Sequence, residues 1–136
     1  MIIKQLSVRI EDRAGGAWQV FQTLADNGIN ILSYSVNDTT DTHGELRLIV
    51  DSVRRADEVL TAAGFTASLT DVYSLNVPNE TGSMSTVLRL LSDAGVSLQF
   101  LYAFQYRGIS QAIVRADDME QLRRVLEDYE RHQLGL

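Results

Sequence analysis

Two polar, glycine-bearing stretches carry the residue types best suited to hold a small charged ligand. Glu11-Asp12-Arg13-Ala14-Gly15-Gly16-Ala17-Trp18 ends the first apolar run, and Pro78-Asn79-Glu80-Thr81-Gly82-Ser83-Met84-Ser85 plays the same part 67 residues later, counted from Gly15 to Gly82. In each, a β-like run stops, a glycine lets the backbone reverse, and an amphipathic helix begins. A helix start leaves backbone N–H groups unpaired and carries partial positive charge. A carboxylate fits there, as anions fit helix N-termini generally. An ammonium on the same ligand would need acceptors, which backbone carbonyls or the amide oxygen of Asn30 could supply. The same glycines would equally serve a tight turn that binds nothing, and the residues alone leave both readings open.

Other residues are weaker candidates. Asp38, Asp41 and His43 lie in one hairpin, but their spacing matches no metal-ligand pattern. The hairpin at Gln105 to Gly108 has no counterpart to them, so a solvated loop and no metal are expected. His132 reads as a surface residue, and Trp18 as a packing residue in the first helical turn. Phe100, Tyr102, Phe104 and Tyr106 recur at period two; such a row usually packs against helices or a dimer partner. No serine–histidine–acid set, phosphate loop or cofactor fingerprint is present. Neither catalysis nor a cofactor is expected.

The composition narrows the class. The chain has 136 residues, 45% hydrophobic and 22% charged, close to the globular average, so a packed fold is expected. Its net charge of −6 argues against a nucleic-acid or anionic-membrane partner. There is no cysteine, which removes disulfides, thiol nucleophiles and thiolate-bound metals and fits a reducing cytoplasm. Met1-Ile2-Ile3-Lys4 enters a strand pattern at once, so no signal peptide is expected. No apolar run approaches the ~20 residues of a membrane span.

The elements that must position these residues form a repeat. Ile2 to Ile10 alternates as a half-buried strand, and Ala17, Val20, Phe21, Leu24 and Ala25 mark a helix ending at Gly28. Strands follow at Ile29 to Val36 and Leu46 to Val50, joined by the hairpin Asn37 to Gly44. Asp51-Ser52 caps a helix over Val53 to Ala63, Gly64 stops it, and Phe65 to Leu69 reads as a fourth strand. A second copy starts with a strand at Val72 to Val77, ended by Pro78, the only proline. Val87, Leu88 and Leu91 mark its helix, Phe100 to Phe104 and Ile109 to Val114 its next strands. Asp117-Asp118 caps a final helix to about Arg131. This divides the chain into units 1–69 and 70–136. The second unit has no clear fourth strand, since Gln133-Leu134-Gly135-Leu136 is short. Its sheet edge is therefore expected to lie open or to be covered by another chain, which favours a dimer.

The double pattern resembles the ACT domain, a small ligand-binding module of amino-acid metabolism. It is carried by the strand, Asp12-Arg13-Ala14-Gly15-Gly16, the helix and Asn27-Gly28-Ile29-Asn30-Ile31. It recurs as Asn79-Glu80-Thr81-Gly82 and Ala94-Gly95-Val96-Ser97-Leu98. The likeness covers essentially the whole chain as two tandem copies. It implies an α+β, ferredoxin-like βαββαβ fold repeated twice, with antiparallel sheets side by side and helices on one face. It also implies an amino-acid-binding regulatory protein and a regulated enzyme as partner; the homodimer is expected from the sheet edge. The alternative is an interaction module that regulates an enzyme without binding a metabolite. Carried over, ligand contacts fall on Asp12, Arg13, Ala14, Gly15, Gly16, Ala17, Asn30 and Ile31. In the second copy they fall on Asn79, Glu80, Thr81, Gly82, Ser83, Met84, Ser97 and Leu98. Two departures stand out. The family's proline before the turn glycine is replaced by Ala14 and Thr81, and Ser97 stands where the first copy has Asn30, so the two sites are not equivalent.

Overall fold

The computed structural model describes residues 1–136 apart from 12, 39–42, 107 and 136, with backbone alone at 13, 14, 38 and 106. Among the described residues the chain runs β1 (Ile2–Ile10), α1 (Arg13–Asp26), β2 (Ile31–Asp38), β3 (Gly44–Val50), α2 (Val53–Ala62), β4 (Thr66–Pro78), α3 (Ser83–Asp93), β5 (Leu98–Tyr106), β6 (Ile109–Ala116) and α4 (Met119–Gln133). It divides into two compact units, Lys4–Thr70 and Met1–Ile3 with Asp71–Leu136. Each unit has the ferredoxin-like α+β layout. No helix among the described residues is long and apolar enough to cross a membrane.

In the first unit the strand order is β2-β3-β1-β4. β1 and β2 both pair antiparallel with β3. Alternation in β1 sends Leu6, Val8 and Ile10 to one face, where Leu46 and Leu48 of β3 and Val20, Leu24, Ala56 and Leu60 of the helices meet them. Each fully buried leucine contributes about 1.5–3 kcal/mol. The polar set of β1 and β3 (Ser7, Arg9, Glu45 and Arg47) takes the helix-free face. Helix ends are set by glycine. Gly28 adopts φ +70°. Its N–H donates to the Ala25 carbonyl at 3.0 Å, and the Ile29 N–H donates to the Leu24 carbonyl at 3.0 Å. This double bond closes the helix and turns Ile29 into the core. Gly95, at φ +72°, repeats the arrangement on α3.

In the second unit β6 lies between β4 and β5 and pairs antiparallel with both. Tyr73, Leu75, Val77, Val87, Leu91, Ala112, Val114, Leu122 and Leu126 build the core. Three expectations change here. The separate strands at Phe65 to Leu69 and Val72 to Val77 are one continuous β4 of 13 residues. Thr70-Asp71 offers neither glycine nor proline, so nothing reverses the backbone there. The edge expected to be open, or covered by another chain, is occupied by the chain's own first residues. Ser74 and Met1 exchange backbone bonds of 2.9 Å in both directions, and Ile2 packs on the second core. Finally, Phe100, Tyr102 and Phe104 do not pack on helices. They pair across β6 with Arg115, Ile113 and Gln111, while Ala112, Val114 and Ala116 of β6 take the core side. The row therefore lies half-buried on the helix-free face, with the Phe100 and Tyr102 rings stacked at 6.1 Å.

Tyr73 is fully buried and its hydroxyl donates to the Glu130 carboxylate of α4. Burial, then the hydrogen bond to Glu130, hold its phenol well above the usual tyrosine range. An unfolded tyrosine ionises near pH ~10. Above that pH the unfolded chain sheds a proton that the folded chain keeps, so stability falls as pH rises. Urea titrations at pH 8 and about pH 11 should show this loss, and Tyr73→Phe should reduce it. An equal alkaline loss in both proteins would refute the assignment.

Candidate functional site

The end of β1, the first turn of α1 and the junction of α2 with β4 enclose a cavity of about 340 Å³ in the first unit. Its lining is Arg9, Ile10 and Glu11 from β1, Gly15, Gly16 and Gln19 from α1, and Gly64, Phe65 and Thr66 from the junction. Local sequence explains each wall. Gly16 has no side chain, which lets α1 settle on β1: a Cβ there would lie 2.9 Å from the Ile10 Cβ. Gly64 takes φ +93° and closes α2. Its N–H donates to the Thr61 carbonyl and the Phe65 N–H to the Leu60 carbonyl, both at 3.0 Å, which delivers Phe65 and Thr66 to the cavity. Arg9 Nε and Glu11 Oε1 stand 3.1 Å apart, their side chains 51% and 71% exposed. The lining therefore offers one positive and one negative group, two neutral polar side chains, and apolar walls from Ile10 and Phe65.

The expected site residues are divided between places. Gly15 and Gly16 line this cavity, but as helical residues inside α1 rather than as the reversing turn expected of them. α1 begins at Arg13 and spans 14 residues, against 11 for α3. Asp12 lies outside the described residues, and Arg13 and Ala14 are described by backbone alone. Ala17 packs towards the core. Asn30 and Ile31 line a different cavity of about 390 Å³ on the outer side of α1, with Trp18, Phe21 and Tyr34. Trp18 is 66% exposed there rather than packed. Phe21 and Tyr34 meet edge-to-face at 5.4 Å. The Asn30 backbone is tied to Asp51: its N–H donates to Asp51 Oδ1 at 3.2 Å, and its carbonyl accepts the Asp51 N–H at 3.1 Å.

In the second unit Gly82 does make the expected turn, at φ +85° just before α3. Asn79 and Gln105 bind each other through both side-chain amides at 3.0 Å. Glu80 and Thr81 are exposed, Ser83 donates its N–H to the Glu80 carbonyl at 3.1 Å, and Met84 packs on the core. The Ser97 carbonyl accepts the Asp117 N–H at 3.0 Å, as Asn30 does from Asp51. Leu98 opens β5 and is 38% exposed. The nearby cavity of about 270 Å³ is lined by Asn76, Val77, Pro78, Gly108, Ile109 and Gln133, and by none of these residues. Of the metal candidates in the first hairpin, Asp41 lies outside the described residues and Asp38 is described by backbone alone, while His43 faces a shallow site with Ser7, Arg9 and Glu45.

Sequence reasoning passed over Arg9, Gln19, Phe65 and Thr66. Arg9 had a readable signal, since it is the last polar-face residue of β1 before the glycine stretch. Phe65 and Thr66 come from about fifty residues beyond the glycine stretch and carry none.

Comparison with known proteins places this geometry in context. A family model described as an ACT domain pair matches residues 1–132. Among solved structures, one of a Bacteroides thetaiotaomicron protein superposes with a TM-score of 0.90 at 29% identity, covering 96% of this chain and 90% of that one. The ligand-free regulatory subunit of aspartate kinase from Thermus thermophilus gives 0.67 at 18% identity, covering 94% of each chain. Its Thermus flavus counterpart gives 0.64 at 18%, again with 94% of each. A search of curated proteins finds no significant match.

Gly16→Ala tests the contact that shapes the cavity. Alanine would gain about 1 kcal/mol in helix propensity, but its Cβ cannot swing away from Ile10. Overpacking of this kind costs about 1–3 kcal/mol. Urea denaturation should show a net loss of up to about 2 kcal/mol; a stabilised variant would contradict the close approach.

Proposed function

The chain belongs to the ACT domain pair family, and on that premise we propose that it is a non-catalytic regulatory protein that senses a free amino acid. We place the amino acid in the cavity formed by β1, the start of α1 and the α2–β4 junction. The observation that carries this reading is the cavity itself. Its volume of about 340 Å³ lies at the small end of ligand pockets, roughly 300–1,000 Å³, as does that of the Asn30 cavity; what sets it apart is the glycine backbone of the first turn of α1 in its lining. Bound ligand acts by favouring whichever arrangement of the protein binds it better. A partner enzyme reads that arrangement, and a homodimer is the proposed assembly. The Thermus neighbours are regulatory subunits of an enzyme; a partner enzyme for this chain is an analogy of fold.

A second reading, an interaction module without a metabolite, draws support from β5. Phe100, Tyr102 and Phe104 there lie half-buried on a face that no helix covers, a surface suited to a protein contact.

A thermal-shift screen against the twenty amino acids, confirmed by calorimetry, separates the two. A ligand at a hundredfold excess over its Kd stabilises the folded state by about 2.7 kcal/mol, which moves Tm by several degrees in a domain of this size. One selective amino acid should do so. Asn30→Ala should leave that shift unchanged, because Asn30 lines the other cavity. No shift from any amino acid at millimolar concentration would sink the sensor reading in favour of the second.

A further inference from the structure

The two units offer a comparison inside one chain. Phe100, Tyr102 and Phe104 of β5 stand 67 residues after Ser33, Ser35 and Asn37 of β2. The registers agree: Tyr102 pairs with Ile113 of β6, and Ser35 with Arg47 of β3. The first unit thus forms the same strand pair with serine and asparagine at these places, so the pairing does not require the rings. What the rings add is an apolar face. Ala112, Val114 and Ala116 of β6 take the core side with α3 and α4. Alternation leaves Ile113 on the opposite side with the aromatic row, and Ile113 is fully buried there.

Three features fit this face to a second copy of itself. The row Phe100, Tyr102, Phe104 reads alike from either end. A two-fold axis through Tyr102 therefore sets Phe100 against the partner's Phe104 and Tyr102 against the partner's Tyr102, the self-complementarity that a two-fold contact requires. Sheets that stack face to face interdigitate such alternating rows, about 10 Å apart. Charge points the same way. The chain carries a net charge of −6, which opposes self-association wherever acidic side chains would meet. The other positions of this face in the second unit are Val72, Ser74 and Asn76 of β4 and Gln111 and Arg115 of β6, with no acid among them. A basic partner drawn by the net charge would find nothing acidic to bind here. Finally, the flanking polar groups are served from within. Gln111 Nε2 donates to Ser74 Oγ at 2.5 Å, and Arg115 donates to the Asp71 carbonyl at 2.6 Å and to Gln99 Oε1 at 3.0 Å. These donors keep their partners when the face is covered, which avoids the cost of burying them unsatisfied.

We propose that two copies of the chain associate through this face, β5 packing on the partner's β5 about a two-fold axis at Tyr102. The assignment names a surface for the homodimer proposed above and rests on that reading.

Sedimentation velocity from micromolar to near-millimolar concentration tests it. The wild-type chain should be a dimer. Phe100→Ser, Tyr102→Ser and Phe104→Asn together give the second unit the residues the first unit carries, and this variant should sediment as a monomer with an unchanged circular dichroism spectrum. A folded triple variant that stays dimeric overturns the face and leaves the homodimer standing. A wild-type chain that is monomeric throughout overturns both. The chain has no cysteine, so cross-linking reports the axis without relying on the triple variant. Tyr102→Cys alone, treated with a short bis-maleimide, should give covalent dimer. Phe100→Cys alone should give several-fold less, and mixing it with Phe104→Cys should restore the yield. No covalent dimer from Tyr102→Cys, or equal yields from all three single variants, overturns the axis.

Discussion

The contact on which the first unit depends is the one that position 16 leaves room for. Ile10 is 2% exposed at the end of β1, and α1 lies so close to it that a side-chain carbon at Gly16 would meet the Ile10 Cβ at 2.9 Å. Most helix–sheet packing tolerates small shifts. This point does not, because the obstructing atom sits next to backbone and has no rotamer to escape through. The glycine brings the first turn of α1 down beside Arg9 and Glu11, and the left-handed Gly64 brings Phe65 and Thr66 up to meet it. The cavity is the space these two backbone constraints leave.

The repeat holds at the helix ends and breaks at the helix starts. Gly28 and Gly95 close their helices with the same bonds, and Asn30 and Ser97 accept from Asp51 and Asp117 alike. These are ways of ending a helix and tying a strand, and both units need them. The helix starts differ. Gly82 reverses the chain in a left-handed conformation before α3, whereas Gly15 and Gly16 are absorbed into a longer α1. In the second unit, Asn79 spends its amide on Gln105. Two copies of one pattern have thus settled on different uses of the same glycine position.

Much of this was legible in the sequence, and the rest failed for identifiable reasons. Period-two alternation marked β1, and the glycines at 28 and 64 marked helix ends, because both signals are local. The double pattern pointed to the family. Continuity of β4 was missed because an expected repeat boundary was placed where no turn chemistry exists. The pairing of Met1 with Ser74 joins residues far apart, and no local pattern reports it. Gly15 and Gly16 were read as a turn because glycine permits one, yet packing on Ile10 made helix the better conformation. The side of the sheet taken by Phe100, Tyr102 and Phe104 follows from register with β6, which alternation alone does not fix. Of the cavity lining, Gly15 and Gly16 had been named in the sequence, though as a turn. The charged and distant members of the lining emerged only when β1, α1 and β4 came together.

The central claim is that the ligand sits at the start of α1 in the first unit. Backbone amide NMR with the best-binding amino acid, titrated to saturation, tests it most directly. The account predicts that the largest shift changes fall on residues 9–11, 15–19 and 64–66. Changes concentrated on residues 79–84 and 97–98, or on Asn30 and Tyr34 alone, would contradict it.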